Sequence, residues 1–299
     1  MAEATIPVDL FNPGQVFACL GFLEAADILI GNAEGGFDWS DTIQPKFRLR
    51  VEGAANPIDA TLEFLAAASV QSLAPLNSKL ATDDWKVQTI RVDGRMPFPI
   101  PAPDSPATLP AQLVVKAGDS ALRIVIDYWG DSPRRTHRDA AKFWAGGGGY
   151  PGAALARDAL GSIRERCRSA ASDPFAQSVE QTSSFRFDWR RDYIPLEIGF
   201  SLNNHSGGRF ATKGFPLVEM LAAIGLTNAR PERRSALEYR YGVIGSDSAP
   251  SYFDPVFLRA ALGGSKLPFP QRCFNMFLGW PGKEGQARCI TNVTEENLS

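Results

Sequence analysis

Three pairs in which proline follows Asn or Asp mark the places where helices begin in this chain: Asn12-Pro13, Asn56-Pro57 and Asp254-Pro255. A side-chain oxygen at the N-cap accepts a hydrogen bond from the first turn, and proline suits the first helical position. Gln15 stands where a capping box has Glu or Gln. Apolar residues then recur at helical spacing until Gly31-Asn32, which is typical of a helix end. The pattern predicts a first helix from residue 13 to residue 30.

Other segments carry the pattern of strands. Residues 46–51 alternate polar and apolar side chains with period two, so they predict a half-buried strand with a basic face. Gly118-Asp119-Ser120 joins two β-rich runs and predicts a hairpin. Residues 185–189 and 273–280 also predict strands, the second as the closing strand, and residues 152–170 predict a helix. These elements predict an α+β fold with an antiparallel or mixed sheet and flanking helices; whether there are two subdomains stays open.

The chain has no run that predicts a membrane span. Its longest apolar candidate, residues 17–30, is interrupted by Glu24 and Asp27, which we expect to be solvated on the helix flank rather than a catalytic pair. The N-terminus lacks a basic stretch followed by an apolar core, so we expect a cytoplasmic protein. Six prolines in residues 93–110 predict an extended arm, because proline cannot donate to a strand ladder.

No residue pattern favours a cofactor, a metal or catalysis. The four cysteines lie far apart without a Cys-x-x-Cys pair, and the histidines are His137 and His205, so no zinc ligand set is visible. The tetraglycine 146–149 is followed by Tyr150-Pro151 and not by the Gly-Lys-Ser/Thr of a nucleotide-binding loop. We expect buried free thiols, no cofactor and no enzymatic activity.

The charges are segregated along the chain. Residues 1–130 carry 9 Lys and Arg against 16 Asp and Glu, residues 131–240 carry 17 against 12, and residues 241–299 carry 5 against 5. The net charges are therefore −7, +5 and 0, which add up to the net charge of −2. This pattern favours a protein-facing part (1–130) and a nucleic-acid-facing part (131–299); a solvated surface of paired charges is the alternative.

The basic part supplies candidate contacts to nucleic acid. Arginine and lysine side chains suit phosphate oxygens, and nearby aromatic side chains offer stacking surfaces, as in the runs 186–191 and 230–241. The candidate phosphate contacts are Arg134, Arg135, Arg138, Lys142, Arg190, Arg191 and Lys213. The candidate contacts to base edges are Asn203, Asn204, His205 and Arg209. For His205, RNA cleavage and a purely structural turn remain alternatives.

Three segments of the chain are similar to one known family. Residues 6–24 (Ile-Pro-Val-Asp-Leu-Phe-Asn-Pro-Gly-Gln-Val-Phe-Ala-Cys-Leu-Gly-Phe-Leu-Glu), residues 190–205 through Arg-Arg-Asp-Tyr-Ile-Pro-Leu and Phe-Ser-Leu-Asn-Asn-His, and residues 216–219 (Pro-Leu-Val-Glu) carry the likeness. In these segments the chain resembles the third group of Csb-type CRISPR-associated proteins of type I-U (I-G) loci. These motifs are sequence patterns and carry no catalytic signature.

The resemblance implies a large-subunit-like component of a Cascade complex, the RNA-guided DNA surveillance complex. Its implied partners are the guide RNA, double-stranded target DNA, the backbone and repeat-processing subunits, and a helicase-nuclease recruited in trans. Such a protein holds strands by their backbones and reads the motif adjacent to the target, while base pairing reads the target itself. Large subunits often end in a helical bundle, whereas this chain ends in strand-like and polar sequence, which puts the specific role in question. A repeat-processing endoribonuclease using His205 and a purely structural scaffold are the alternatives.

Overall fold

A computed structural model describes residues 1–75, 82–92, 111–126, 151–181, 184–191, 213–279 and 289–296. The helices are α1 (Pro13–Leu29), α2 (Pro57–Ala67), α3 (Gly152–Ile163), α4 (Pro216–Gly225) and α5 (Pro255–Leu262). The strands are β1 (Ala2–Pro7), β2 (Glu34–Asp38), β3 (Lys46–Val51), β4 (Ser69–Pro75), β5 (Thr89–Val92), β6 (Ala111–Ala117), β7 (Ser120–Ile126), β8 (Val179–Glu180), β9 (Lys213–Gly214), β10 (Glu232–Arg233), β11 (Glu238–Ser246), β12 (Gln271–Gly279) and β13 (Cys289–Glu295). Short 3-10 turns lie at Asp83–Trp85, Cys167–Ser169, Pro174–Ala176 and Trp189–Arg191.

Two larger sheets and the two-stranded sheet of β8 and β9 organise the described elements. The larger has the order β1-β3-β2-β11-β12-β13, with β10 also paired to β11. Its pairings are antiparallel except that between β11 and β2, which is parallel. The smaller has the order β5-β4-β6-β7 and also mixes one parallel pairing with antiparallel ones. The predicted α+β class with a mixed sheet and flanking helices is therefore confirmed.

The three predicted helix starts are confirmed by their caps. The side chains of Asn12, Asn56 and Asp254 accept hydrogen bonds from the N–H groups of Gly14, Ile58 and Val256, respectively, at 3.1, 2.9 and 2.8 Å. The capping box predicted for Gln15 is wrong, however. Its Oε1 accepts from the N–H of Asp9 at 2.8 Å, because the N–H of Asn12 already donates to the Asp9 carbonyl. Gln15 thus ties the end of β1 to the first turn of α1.

Helix α1 lies at the centre of the core and packs closely against α4. The residues from Pro13 to Ala26 are buried, so this helix has no solvated face over most of its length. The two helices approach at Gly21 and Gly225, where a Cβ atom would lie 1.9 Å from the Leu221 carbonyl oxygen and 2.3 Å from that of Phe17. One continuous core contains residues from Ile6 to Val293 and therefore draws on both sides of residue 130. The division of function at that point stays a prediction.

A buried ion pair corrects the expectation for the flank of α1. Glu24 is not solvated but 3% exposed, and its carboxylate accepts from the guanidinium of Arg259 on α5 at 2.6 and 2.7 Å. Asn228, just after α4, donates to the same carboxylate at 3.0 Å. Because a buried carboxylate is tolerated when it is paired, this contact joins three helices around one charge.

Other expectations are met in part. The predicted hairpin is formed by β6 and β7. The predicted helix over residues 152–170 ends early, at Ile163, where the guanidinium of Arg164 turns to the carbonyls of Ala66 and Ala68 at the end of α2. The predicted closing strand is β12, but β13 follows it and pairs with it. The proline-rich residues 93–110 and the tetraglycine 146–149 lie outside the described residues.

None of the helices in the described ranges has the length and apolar character needed to cross a membrane.

Candidate functional site

Most of the candidate nucleic-acid contacts fall on residues that the structure does not describe. Outside the described residues lie Arg134, Arg135, Arg138, Lys142, Asn203, Asn204, His205 and Arg209. The described members are Arg190 and Arg191, in the 3-10 turn Trp189–Arg191, and Lys213 at the start of β9. These three stand immediately before and after the segment 192–212, which carries the four candidate base-edge residues. The site that the structure describes therefore consists of the two stretches that flank this segment: residues 184–191 before it and the residues from Lys213 onward after it.

Asp188 is the buried residue at the centre of the first flanking stretch, residues 184–191. Its fully buried carboxylate accepts from the Asn12 side-chain amide at 3.0 Å, which links it to the N-terminus of α1. The guanidinium of Arg190 pairs with the same carboxylate, with Nη2 at 2.6 Å from Oδ2, and the N–H of Arg190 donates to Oδ1 at 3.0 Å. A buried carboxylate needs such partners, because an unpaired charge in the interior is costly.

Glu219 is a second fully buried acid, and it explains why the strand predicted over residues 185–189 is wrong. Its carboxylate accepts the N–H groups of Phe187 and Asp188 at 3.2 and 3.1 Å, so these donors are not offered to a neighbouring strand. Arg186 has a φ of +63°, a left-handed conformation that interrupts an extended chain. Gly14 of α1 also meets this chain, since a Cβ there would lie 2.5 Å from the Phe187 carbonyl oxygen.

A junction is formed by four residues: Asn12, Asp188, Arg190 and Glu219. This junction also joins the two flanking stretches. The guanidinium carbon of Arg190 lies 3.4 Å from the centroid of the Phe215 ring, and Phe215 follows β9. Nη2 of Arg190 further donates to the carbonyl of Phe175 at 2.8 Å. Strand β9 also lies against the 3-10 turn and pairs with β8, placing Lys213 opposite Glu180. The residues before and after 192–212 are therefore held together by a cation–π contact and by backbone packing.

Among the described residues of the basic part, many arginines donate hydrogen bonds to other groups of the protein. Arg157 and Arg166 donate to the carbonyls of Trp85 and Ser178. Arg240 donates to Glu296 at 2.8 Å and to the Gly264 carbonyl at 3.0 Å. Tyr239 and Tyr241, in the predicted basic and aromatic run 230–241, are fully buried, so they pack in the core and offer no stacking surface.

The two arginines on the basic face predicted for β3 are neutralised by its neighbour. Asp38 of β2 accepts from Nε and Nη2 of Arg48 at 2.8 and 2.6 Å, and Glu34 pairs with Arg50 at 2.5 Å. Burial by itself raises the pKa of Asp38, but the hydrogen bonds from Ser40 and Arg48 outweigh it and lower the pKa below its usual value. This face of the larger sheet is a set of cross-strand ion pairs.

A cleft of about 450 Å³ adjoins the junction. Its charged lining residues are Asp9, Lys46, Asp173, Arg190 and Arg272. Burial in the cleft is the largest influence on Asp9 and raises its pKa, although the N–H of Phe11 and the charge of Arg190 act in the opposite direction. Asp9 is nevertheless an exposed residue, so its carboxylate is open to a binding partner.

The cysteines are buried free thiols, as expected. Cys19, Cys167, Cys273 and Cys289 all lie inside the fold. Burial raises the pKa of Cys167 to about 11, with the charge of Arg164 opposing, so it remains a thiol at neutral pH. Among the residues with described positions, no group of three or more His, Cys, Asp or Glu is arranged to hold a metal ion.

Comparison of the chain with protein-family models, curated proteins and solved structures returned no match. The sequence resemblance therefore depends on its own residues. The described parts of its three segments meet at the junction, which contains Asn12 from the first, Arg190 from the second and Glu219 from the third. Sequence reasoning singled out Arg190 but missed the buried role of Asp188 and Glu219. The one available signal was a single acid, Glu219, within the otherwise apolar sequence of α4.

Proposed function

We propose that this protein is a non-catalytic subunit of a type I CRISPR RNA-guided DNA surveillance complex, Cascade, which binds target DNA and the guide RNA backbone. The observation that supports this most directly is the junction of Asn12, Asp188, Arg190 and Glu219. Segments that are far apart in sequence and share one resemblance meet there through specific buried contacts. This convergence supports the interpretation that the three segments build one site.

The proposal assigns the nucleic-acid contacts to two stretches that lie on either side of Asp188 and Arg190 in sequence. Arg134, Arg135, Arg138 and Lys142 contact phosphates, because arginine forks match phosphate oxygens. Asn203, Asn204, His205 and Arg209 reach base edges of the adjacent motif. The internal use of Arg157, Arg166 and Arg240 supports this assignment, since those side chains are engaged by the protein's own carbonyls and carboxylates. The subunit helps to recruit the helicase-nuclease.

Copurification tests the class of protein. Coexpression with the neighbouring gene products is expected to yield a stoichiometric ribonucleoprotein that contains this chain and a small RNA. An isolated chain that cuts a repeat hairpin, and is inactive as His205→Ala, would instead identify a processing endoribonuclease. A chain that joins the complex while adding no salt-dependent affinity for DNA or RNA would identify a structural scaffold.

Charge reversal tests the phosphate contacts. In the assembled complex, replacing Arg134, Arg135 and Arg138 by Glu is expected to weaken DNA binding and to reduce the salt slope by about three, because each arginine would no longer neutralise its phosphate. Arg123→Glu is the control, because Arg123 is an exposed arginine that lies in residues 1–130, outside the part assigned to nucleic acid. An unchanged affinity and slope in the triple variant would refute the assignment.

Substitution of the base-edge residues tests motif reading. Asn204→Ala is expected to weaken binding to targets that carry the preferred adjacent motif by about 1–3 kcal/mol, while leaving other targets almost unchanged. Equal weakening on every target sequence would show that the residue contacts the backbone and reads no base.

A further inference from the structure

The cleft beside the junction is a place where the protein presents both charge and apolar surface. It lies between the end of β1, the loop that joins β2 to β3, and the 3-10 turn Pro174–Ala176. Its volume of about 450 Å³ falls within the range of sites that take one or two side chains or a small ligand. The contacts assigned above to residues 134–142 and 203–209 make no use of it.

Most of the positive charge in this cleft is already compensated within the protein. Arg190 is paired with the buried Asp188, and Arg272 donates to both carboxylate oxygens of Glu295 at 2.6 and 2.7 Å. The charges that remain are two carboxylates, Asp9 and Asp173, and one ammonium, Lys46. The cleft is therefore acidic by about one charge.

The rim of the cleft exposes an aliphatic side chain in a defined position. Ile43 is 88% exposed, more than the other large apolar side chains in the described parts of the chain. Its loop is ordered by Asp41, whose carboxylate accepts the N–H groups of Ile43 and Gln44 at 2.9 and 3.1 Å. Phe11, 38% exposed, lies on the same cleft. Ordering an apolar side chain toward solvent costs stability, so a protein partner is the natural use of this surface.

We propose that this cleft binds an extended segment of a partner protein that carries an arginine or lysine next to a large apolar residue. The cationic side chain pairs with Asp9 and Asp173, and the apolar side chain packs on Ile43 and Phe11. A nucleic-acid strand fits less well, because a cleft that is acidic by about one charge repels phosphates. The partner is a basic protein surface, and the contact does not depend on nucleic-acid binding by this chain.

Short peptides test the chemistry of this cleft directly. Acetyl-Arg-Leu-amide is added to the full chain, and the shifts of the Ile43 and Gln15 amide signals are followed by NMR; acetyl-Glu-Leu-amide and acetyl-Gly-Leu-amide are the comparison probes. The arginine peptide is expected to shift both signals in a saturable, salt-sensitive way, and the glutamate peptide is expected to leave them in place. Equal responses to the three peptides, or no response to the arginine peptide, would overturn the proposal.

Single substitutions show which side chains of the cleft contact the arginine peptide. Asp9→Asn keeps an oxygen that can accept from the Phe11 N–H, so the helix start stays intact, and it is expected to weaken binding of the arginine peptide by about fivefold. Asp84→Asn removes the same charge at an exposed position that does not line the cleft and is expected to have no effect. Ile43→Ser is expected to remove the part of the peptide's affinity that comes from its leucine side chain. Equal effects of Asp9→Asn and Asp84→Asn would argue against the proposal.

A nucleic-acid probe separates this inference from the proposed function. A short oligothymidine is expected to leave the Ile43 and Gln15 signals unshifted, even where the chain binds DNA elsewhere. Saturable shifts of these two signals by the oligonucleotide would assign the cleft to nucleic acid and overturn the protein partner. Peptide binding without any affinity for DNA or RNA would refute the proposed function alone.

Discussion

The guanidinium carbon of Arg190 lies 3.4 Å from the centroid of the Phe215 ring. These residues stand on either side of the segment 192–212, so one side chain ties together the residues that precede and follow it. The same guanidinium neutralises the fully buried Asp188 and donates to the carbonyl of Phe175. The sequence predicts Arg190 as a contact to nucleic acid; in the structure its contacts are with the protein. Whether it also touches nucleic acid stays a prediction.

We expect Arg190→Ala to destabilise the protein by about 3–5 kcal/mol, because it leaves the buried carboxylate of Asp188 without its cation. Arg190→Lys keeps the charge but lacks the planar fork that pairs with Asp188 and stacks on Phe215, so it is expected to recover only part of this stability. Urea unfolding followed by tryptophan fluorescence measures the free energy of unfolding.

Arg233→Ala is the control for the Arg190 variants, since this exposed arginine should change the unfolding free energy by no more than about 0.5 kcal/mol. If Arg190→Ala were no more destabilising than this control, the described pairing would not contribute to stability.

Local signals in the sequence carried the prediction of the helices. Asn12, Asn56 and Asp254 each cap the helix that their neighbouring proline begins, because a cap is a contact between residues two positions apart. The hairpin of β6 and β7 was predictable for the same reason, since its turn residues lie between its strands. The α+β class followed from these elements.

Long-range contacts decided what the sequence could not predict. Residues 185–189 have the pattern of a strand, but Glu219, 31 positions beyond Asp188, takes their N–H groups. Glu24 has the pattern of a solvated acid, but α5 places Arg259 beside it, 235 positions away. The acidic cleft likewise assembles from separate regions of the chain. Charge composition alone does not reveal which arginines are engaged in such contacts.

Two glycines provide a matched test of the packing between α1 and α4. In Gly21→Ala the added Cβ would meet the Leu221 carbonyl oxygen at 1.9 Å, which forces the helices apart, so we expect a destabilisation of about 1–3 kcal/mol. Gly161 of α3 has no atom within 4 Å of such a Cβ, so Gly161→Ala is expected to gain about 0.5–1 kcal/mol from helix propensity. Thermal unfolding of both variants checks that the two changes in stability have opposite signs. A stabilising effect of Gly21→Ala would contradict the close approach of α1 and α4.

The ion pair between Glu24 and Arg259 is expected to show strong coupling. Glu24→Met leaves the guanidinium and the Asn228 amide without their acceptor and should cost about 3 kcal/mol. The double replacement Glu24→Met/Arg259→Met should cost less than the sum of the single ones, because it removes both charges together. A double-mutant cycle in urea measures this coupling, and additive effects would contradict it.

Asp38 should make stability depend on pH in the acid range. Its pKa is lowered in the folded protein, so the ion pair with Arg48 contributes stability above the unfolded pKa, and this contribution disappears as the pH falls through the folded pKa. Asp38→Asn is therefore expected to be less stable than the wild type at pH 7 and to approach it in strong acid. Unfolding free energies at several pH values check this; a constant difference would contradict the role of ionisation.

Asp9 should have the opposite dependence. Because the cleft raises its pKa, the folded protein binds this proton more tightly than the unfolded chain does, so ionised Asp9 lowers stability above its folded pKa and the penalty disappears as the pH falls. Asp9→Asn is then expected to be more stable than the wild type at pH 7, with the advantage fading below the unfolded pKa. An arginine peptide that stabilises the wild type but not Asp9→Asn at pH 7, measured by thermal unfolding, would show that the peptide binds the ionised carboxylate. A less stable Asp9→Asn at pH 7 would show that the cleft does not strain this carboxylate.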